Sequence, residues 1–139
     1  MGSERGLWST LRKKLQGRCH WQRHEDLAST GIPDVSYGVN GINGWIELKY
    51  LPDFPRRSTT PVRFRNFTDE QRDWLTQRGR YGGYCWMLAQ INRDYLLFDH
   101  TVIESVGAVP KKELIGMAVG HWEYHLEAAE LLQLLQARK

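Results

Sequence analysis

Asp34, Glu47 and Lys49 are the residues whose types and spacing most clearly allow chemistry. Carboxylate oxygens of aspartate and glutamate are the ligands that Mg²⁺ and Mn²⁺ prefer in proteins. A lysine beside them can orient an attacking water or stabilise the charge that builds on a phosphate. Together these groups fit the metal-dependent hydrolysis of a phosphodiester bond.

The segment 45–50 is predicted to be a strand because its side chains alternate in character. One face would carry Ile46, Leu48 and Tyr50, and the other would carry Trp45, Glu47 and Lys49. The alternative interpretation of the charges is an ordinary surface salt bridge on a solvated sheet face. The Gly-x-Pro-Asp sequence that leads into Asp34 and the regular alternation favour the catalytic interpretation.

A β-hairpin turn would bring Asp34 to the other two residues. The sequence Asn-Gly favours a type I′ turn, and it occurs twice between segments 34–37 and 45–50, at Asn40-Gly41 and at Asn43-Gly44. A turn at the first pair places Asp34 opposite Glu47, with Cβ atoms about 5 Å apart. A turn at the second pair breaks this register, and the sequence leaves both open.

The two segments together resemble the signature of the PD-(D/E)XK nuclease superfamily. The matching residues are Gly31-Ile32-Pro33-Asp34-Val35 and Trp45-Ile46-Glu47-Leu48-Lys49. The resemblance covers roughly residues 4–98 and is to small phage and archaeal Holliday junction resolvases and to VRR-NUC domains. It implies a DNA endonuclease in which Asp34, Glu47 and the Leu48 carbonyl hold Mg²⁺ or Mn²⁺, while Lys49 acts on the nucleophilic water.

Three further residues are candidates through the same resemblance. Such nucleases carry a glutamate on the first helix, where Glu4 lies, and Glu25 competes for this role. Glu25 is preferred because it closely precedes the Gly-x-Pro-Asp sequence. Gln71 matches a glutamine on the helix after the catalytic strand. It also fits a capping box with Thr68, in which it would serve only its own helix.

The order of predicted elements is α-β-β-β-α-β-β-α, which is typical of an α/β (α+β) domain. The resemblance implies a restriction-endonuclease-like αβββαβ core, with a central mixed β-sheet flanked by helices. We expect one nuclease domain over residues 1–139, with its core at about 4–98. Residues 100–139 are expected to form a helical C-terminal extension, in which 122–137 is most strongly helical.

The connection 51–67 is rich in proline and arginine and is predicted to be a loop. Its arginines, Arg56, Arg57, Arg63 and Arg65, are candidates for binding DNA phosphates. The net charge of +3 permits a nucleic-acid partner without demanding one. Resolution of a DNA junction needs two incisions, so we also expect a homodimer. The last helix carries more leucines than one core face requires, which could be a dimer contact: Leu131, Leu132, Leu134 and Leu135. A helix buried on two sides explains them equally well.

These observations predict an Mg²⁺-dependent endonuclease that cuts branched or structured DNA. The alternatives are a nicking or end-processing nuclease of repair or restriction type, and a catalytically silent DNA-binding module. No apolar run approaches the ~20 residues that span a bilayer. Cys19 and Cys85 lack zinc-like spacing and fit a reducing cytoplasm, in a bacterium or a phage-infected host cell.

Overall fold

A six-stranded mixed sheet organises the computed structural model, which describes residues 2–24 and 31–137. The strands are β1 (His20–Arg23), β2 (Val35–Val39), β3 (Ile42–Leu51), β4 (Tyr84–Ile91), β5 (Asp94–Asp99) and β6 (Gly120–Glu123). The helices are α1 (Glu4–Lys14), α2 (Asp69–Arg80), α3 (Lys111–Met117) and α4 (Ala128–Leu134), with a short 3₁₀ turn at His100–Val102. The predicted α+β class and the order αβββαβ of the core are confirmed.

The strands lie in the sheet in the same order as in the chain. Neighbouring strands are antiparallel except β3 and β4, which are parallel. A parallel pair needs a long crossover connection, and α2 together with the loop before it provides one here. The sheet is therefore mixed, as predicted, and the parallel pair lies at its centre.

The β2–β3 hairpin turns at Asn40-Gly41, which decides between the two possible turns. Asn40 has φ 49° and Gly41 has φ 79°, as a type I′ turn requires. Val39 pairs with Ile42, and Val35 pairs with Ile46. Asp34 directly precedes the last of these pairs, so this register carries it towards Glu47.

Two apolar clusters cover the two faces of the sheet. The first joins α1 and α4 to β3 through Leu7, Leu11, Ile46, Leu48 and Leu131. The second lies on the side of α2 and includes Leu75, Met87, Val62, Phe64 and Phe67. Because side chains alternate along β3, Glu47 and Lys49 share the second side with Trp45, which packs against that cluster.

The predicted loop between β3 and α2 contains no helix or strand, yet it is anchored to the domain. Val62 is fully buried, while Phe64 and Phe67 are only 5% and 6% exposed. The amide of Val62 also donates a hydrogen bond to the Val109 carbonyl at 2.9 Å. These contacts hold the second half of the loop against the body of the protein.

The structure corrects the prediction for residues 100–139. Residues 120–123 form an edge strand rather than a helix, because Gly120 and Trp122 are buried while His121 and Glu123 are exposed. This alternation fits a strand paired with β5. Helix α4 begins only at Ala128, where the Glu127 side chain accepts hydrogen bonds from two backbone amides.

The leucines of α4 pack onto the protein's own core. Leu131 and Leu135 are fully buried, while Leu132 and Leu134 are partly buried against the same cluster. The Tyr37 hydroxyl donates a hydrogen bond to the Leu135 carbonyl and accepts one from Trp86 Nε1 at 2.8 Å. Packing of these leucines against the protein's own core therefore removes the sequence argument for a dimer contact.

Two smaller predictions concern thiols and membranes. Cys19 and Cys85 are both free, and Cys85 is buried whereas Cys19 is partly exposed. Within the described residues, no helix combines the length and apolar character that crossing a bilayer would need.

Gly31 fixes the approach of the chain to Asp34, and this can be tested. It has φ 96°, and a Cβ placed on it would lie 2.3 Å from the Glu70 carbonyl oxygen at the start of α2. Gly31→Ala should therefore lower the free energy of unfolding by roughly 2–4 kcal/mol, from backbone strain and overpacking together.

Gly17 offers a matched control, because it also has positive φ, 76°, but has open space around the added Cβ. Gly17→Ala should cost only about 1 kcal/mol, from strain alone. Urea unfolding of both variants measures the difference. Equal losses of unfolding free energy in the two variants would contradict the close approach of Gly31 to α2.

Candidate active site

Asp34 is held against β3 by a backbone hydrogen bond. Its Oδ2 accepts a hydrogen bond from the Leu48 amide at 2.8 Å. The carboxylate thus satisfies a β3 amide that lies beyond the last β2–β3 backbone pair. Asp34 is partly exposed. The structure therefore places one predicted residue at the mouth of the site, with a fixed carboxylate.

Glu47 and Lys49 form a buried ion pair. Each side chain is only 1–2% exposed, and Lys49 Nζ lies 2.9 Å from Glu47 Oε2. Lys49 Nζ also donates a hydrogen bond to the Asn66 carbonyl at 2.8 Å. The ammonium is thus held by one ion pair and one hydrogen bond. Buried charges that are not fully paired carry a cost in stability, which indicates a role beyond packing.

The carboxylate of Glu47 is incompletely satisfied. Within residues 2–24 and 31–137, no donor meets either oxygen with hydrogen-bond geometry, so the Lys49 contact at 2.9 Å is an ion pair only. A buried polar atom without a partner is uncommon in native proteins. Two such oxygens on one carboxylate, beside a second carboxylate, fit the oxygen ligands of a divalent cation.

Glu4 adds a third carboxylate to this group. It is the first residue of α1 and accepts a hydrogen bond from Asn66 Nδ2 at 2.5 Å. Its charge helps to raise the pKa values of both Asp34 and Glu47. The competing candidate, Glu25, lies outside the described residues, so the preference for Glu25 stays a prediction.

Burial and crowded negative charge favour the protonated forms of the two central carboxyls. Burial, reinforced by the charge of Asp34, raises the pKa of Glu47 to about 8, against the opposing effect of Lys49. Burial also raises the pKa of Asp34, although the Leu48 amide and Lys49 act in the opposite direction. A bound cation would oppose this effect by stabilising the charged forms.

Asn66 is a site residue that the sequence analysis missed. Its carbonyl accepts from Lys49 Nζ, and its side-chain amide donates to Glu4. It therefore joins β3, α1 and the loop before α2. Lys49 contacts the backbone carbonyl of Asn66, a group that every residue type has, so the sequence carries no signal for this contact.

The remaining predicted site residues lie elsewhere or are untested. Gln71 forms the capping box: its Oε1 accepts from the Thr68 amide at 3.0 Å, and its own amide donates to Thr68 Oγ1 at 3.2 Å. The helix-capping alternative for Gln71 is therefore the one that the structure shows. The role of the Leu48 carbonyl stays a prediction. The four loop arginines, Arg56, Arg57, Arg63 and Arg65, are all exposed.

A second group of possible metal ligands lies on β5 and β6. Ligand atoms of Asp94, His121 and Glu123 all fall within 4.8 Å of one another. His121 Nε2 and Asp94 Oδ1 are 2.7 Å apart, and His121 and Glu123 are exposed. Sequence reasoning missed this group because it expected residues 100–139 to be helical, whereas His121 lies on a strand opposite Leu96.

Solved structures that resemble this chain include the following two. One is a bacterial homing endonuclease, I-Ssp6803I, with a TM-score of 0.51 and 15% identity over 95% of this chain and 92% of that chain. The chain shares the α+β fold of this structure. The other is the Holliday junction resolvase Hjc of Archaeoglobus fulgidus, with a TM-score of 0.46 and 17% identity over 70% of this chain and 76% of that chain. No family model and no curated protein matches the sequence.

The raised pKa of Glu47 predicts how stability depends on pH in metal-free protein. Between its ordinary value of 4.5 and about 8, the folded state keeps a proton that the unfolded state has lost. The free energy of unfolding should therefore fall as pH rises through this window, by ~1.4 kcal/mol per unit at most. Denaturant unfolding in a chelating buffer measures this slope.

Glu47→Gln provides the control, since it keeps the side chain's shape and removes the titrating group. This variant should show a distinctly flatter dependence between pH 4.5 and about 8. Wild-type and variant slopes of equal size would contradict the raised pKa of Glu47.

Proposed function

We propose that the protein is a divalent-metal-dependent deoxyribonuclease that hydrolyses phosphodiester bonds. The observation that carries this proposal is the buried Glu47 carboxylate, whose two oxygens lack hydrogen-bond donors among the described residues. It adjoins the carboxylate of Asp34 and the ammonium of Lys49. The nuclease-type fold is consistent with this chemistry.

Asp34 and Glu47 would hold Mg²⁺ or Mn²⁺, with Glu4 as a further acidic group nearby. Both ions prefer oxygen ligands. The carboxylates of Asp34 and Glu4 and the ammonium of Lys49 all act on Glu47, so negative charge is in excess here among the described residues. When bound, such an ion polarises a phosphate oxygen and lowers the pKa of a bound water. The Leu48 carbonyl is a further proposed ligand, from the resemblance to PD-(D/E)XK nucleases.

Lys49 would act on the water or on the phosphate. Its Nζ is held by the ion pair with Glu47 and the hydrogen bond to Asn66, and a further ammonium hydrogen remains for a water or a phosphate oxygen. In hydrolysis, the water oxygen bonds to phosphorus, one phosphorus–oxygen ester bond breaks and the leaving oxygen gains a proton. A fixed ammonium beside this reaction stabilises the negative charge that builds on the phosphate oxygens.

The proposed substrate is branched or structured DNA. The exposed arginines of the 51–67 loop would hold its phosphates without reading sequence. If the substrate is a four-way junction, two symmetric incisions require two active sites, so the proposal then includes a homodimer of twice 16.2 kDa. A nicking or end-processing nuclease would use the same site. A silent binding module would not need the unsatisfied buried carboxylate of Glu47, which costs stability.

Calorimetric titration with Mn²⁺ tests the metal site. Asp34→Asn should weaken binding about ten-fold or more, because it removes a charged ligand. The amide oxygen of asparagine can still accept the Leu48 hydrogen bond, so the fold should survive.

The matched control for the titration is Asp94→Asn, which alters the other ligand group. This variant should bind Mn²⁺ as the wild type does at the proposed site. Unchanged affinity in Asp34→Asn would remove Asp34 from the metal site.

A cleavage panel tests the activity itself. The wild type with Mg²⁺ should cut at least one of four substrates: a four-way junction, a flap, a linear duplex or a single strand. Glu47→Gln should lose on the order of 100-fold or more in rate. Glu4→Gln and Glu25→Gln separate the two spare glutamates, since only the residue that completes the site should lose activity. Failure of the wild type to cut any of these DNAs would contradict the proposed function.

A further inference from the structure

A cleft beside the candidate active site has no role in the function proposed so far. It lies between the end of β3 and the loop that follows, and its volume is about 700 Å³. This is within the range of small-ligand sites, about 300–1,000 Å³. The residues that define its chemistry are Tyr50, Phe54, Arg63, Arg65 and Asn66. We propose that this cleft binds an unpaired nucleotide of the DNA substrate, next to the phosphodiester that the active site would cut.

The cleft is suited to a phosphate. Arg63 and Arg65 both line it and are exposed, whereas Arg56 and Arg57 in the same loop do not line it. The acidic residue in the wall is Asp53. Its Oδ1 accepts a hydrogen bond from the Phe54 amide at 2.8 Å. The positive charge in this wall therefore exceeds the negative charge, as an anionic ligand requires.

The aromatic and apolar part of the wall distinguishes a nucleotide from a phosphate alone. Tyr50 and Phe54 line the cleft together with Pro52, Pro55 and Pro61. Aromatic rings bind bases through the base faces, and those faces are hidden by stacking in a duplex. A wall that combines arginines with aromatic rings therefore fits a base that is already unpaired, while a duplex backbone would use the arginines only.

The cleft shares Asn66 with the candidate active site. Asn66 lines the cleft and binds both Lys49 and Glu4. A nucleotide in the cleft would thus lie close to the proposed metal ligands. This inference rests on the proposed function and sharpens its substrate: flaps, bulges or frayed ends would be preferred over a fully paired duplex.

Binding in the absence of metal isolates this preference from cleavage. The probes are two fluorescein-labelled DNAs that share one duplex, of which one carries an unpaired flap, in a buffer with EDTA. The variants are Arg63→Gln/Arg65→Gln and, as the matched control, Arg56→Gln/Arg57→Gln, which removes the same charge from the same loop. Phe54→Leu removes the aromatic ring and keeps an apolar side chain, and circular dichroism checks its fold. If Phe54→Leu does not fold, the comparison of the two arginine double variants alone tests the proposal.

The wild type should bind the flap DNA roughly 5- to 150-fold more tightly than the duplex, as expected for stacking of one base. Arg63→Gln/Arg65→Gln and folded Phe54→Leu should lose most of this ratio. Arg56→Gln/Arg57→Gln should weaken both DNAs alike and keep the ratio. Equal affinity of the wild type for the two DNAs, or an equal loss of the ratio in both arginine pairs, would overturn the cleft proposal alone if the wild type still cuts DNA with Mg²⁺. Failure of the wild type to bind or cut any DNA would overturn the proposed function as well.

Discussion

The buried ammonium of Lys49 is the constraint on which the rest of the site depends. A lysine that is 1% exposed needs fixed acceptors, and it has two: the Glu47 carboxylate and the Asn66 carbonyl. The second of these comes from a loop without helix or strand. The burial of Val62, Phe64 and Phe67 therefore also shapes the candidate site, because it brings the carbonyl to the lysine.

The negative charge around Lys49 is larger than one ammonium can balance. Asp34 and Glu4 both act to raise the pKa of Glu47, and its two oxygens lack donors in the described part of the chain. A site made only for stability would replace such a group with apolar side chains at little loss. A site that binds a cation needs this excess, so the local instability of the metal-free protein follows from the proposed activity.

The parts of the structure that depend on local sequence were predictable. Asn40-Gly41 adopts the positive φ values of its turn, and the alternation along β3 separates Leu48 from Glu47 and Lys49. The turn and the alternation together predict that Asp34 lies beside the strand that carries Glu47. Strand β6 was not predictable, because its four residues are stabilised by pairing with β5, which is distant in sequence. The contact between Asn66 and Lys49 was hidden for a similar reason, since it depends on how a long loop packs.

Two groups of possible metal ligands exist in the described residues, and they differ in chemistry. Asp34 and Glu47 lie in a largely buried site beside Lys49, whereas Asp94, His121 and Glu123 lie on strands β5 and β6 with two members exposed. The central claim is that the buried group binds the catalytic cation. Anomalous diffraction from crystals soaked with Mn²⁺ tests it most directly. A manganese peak beside both Asp34 and Glu47 is expected. A peak found only at Asp94, His121 and Glu123, or none at all, would contradict the proposed metal site.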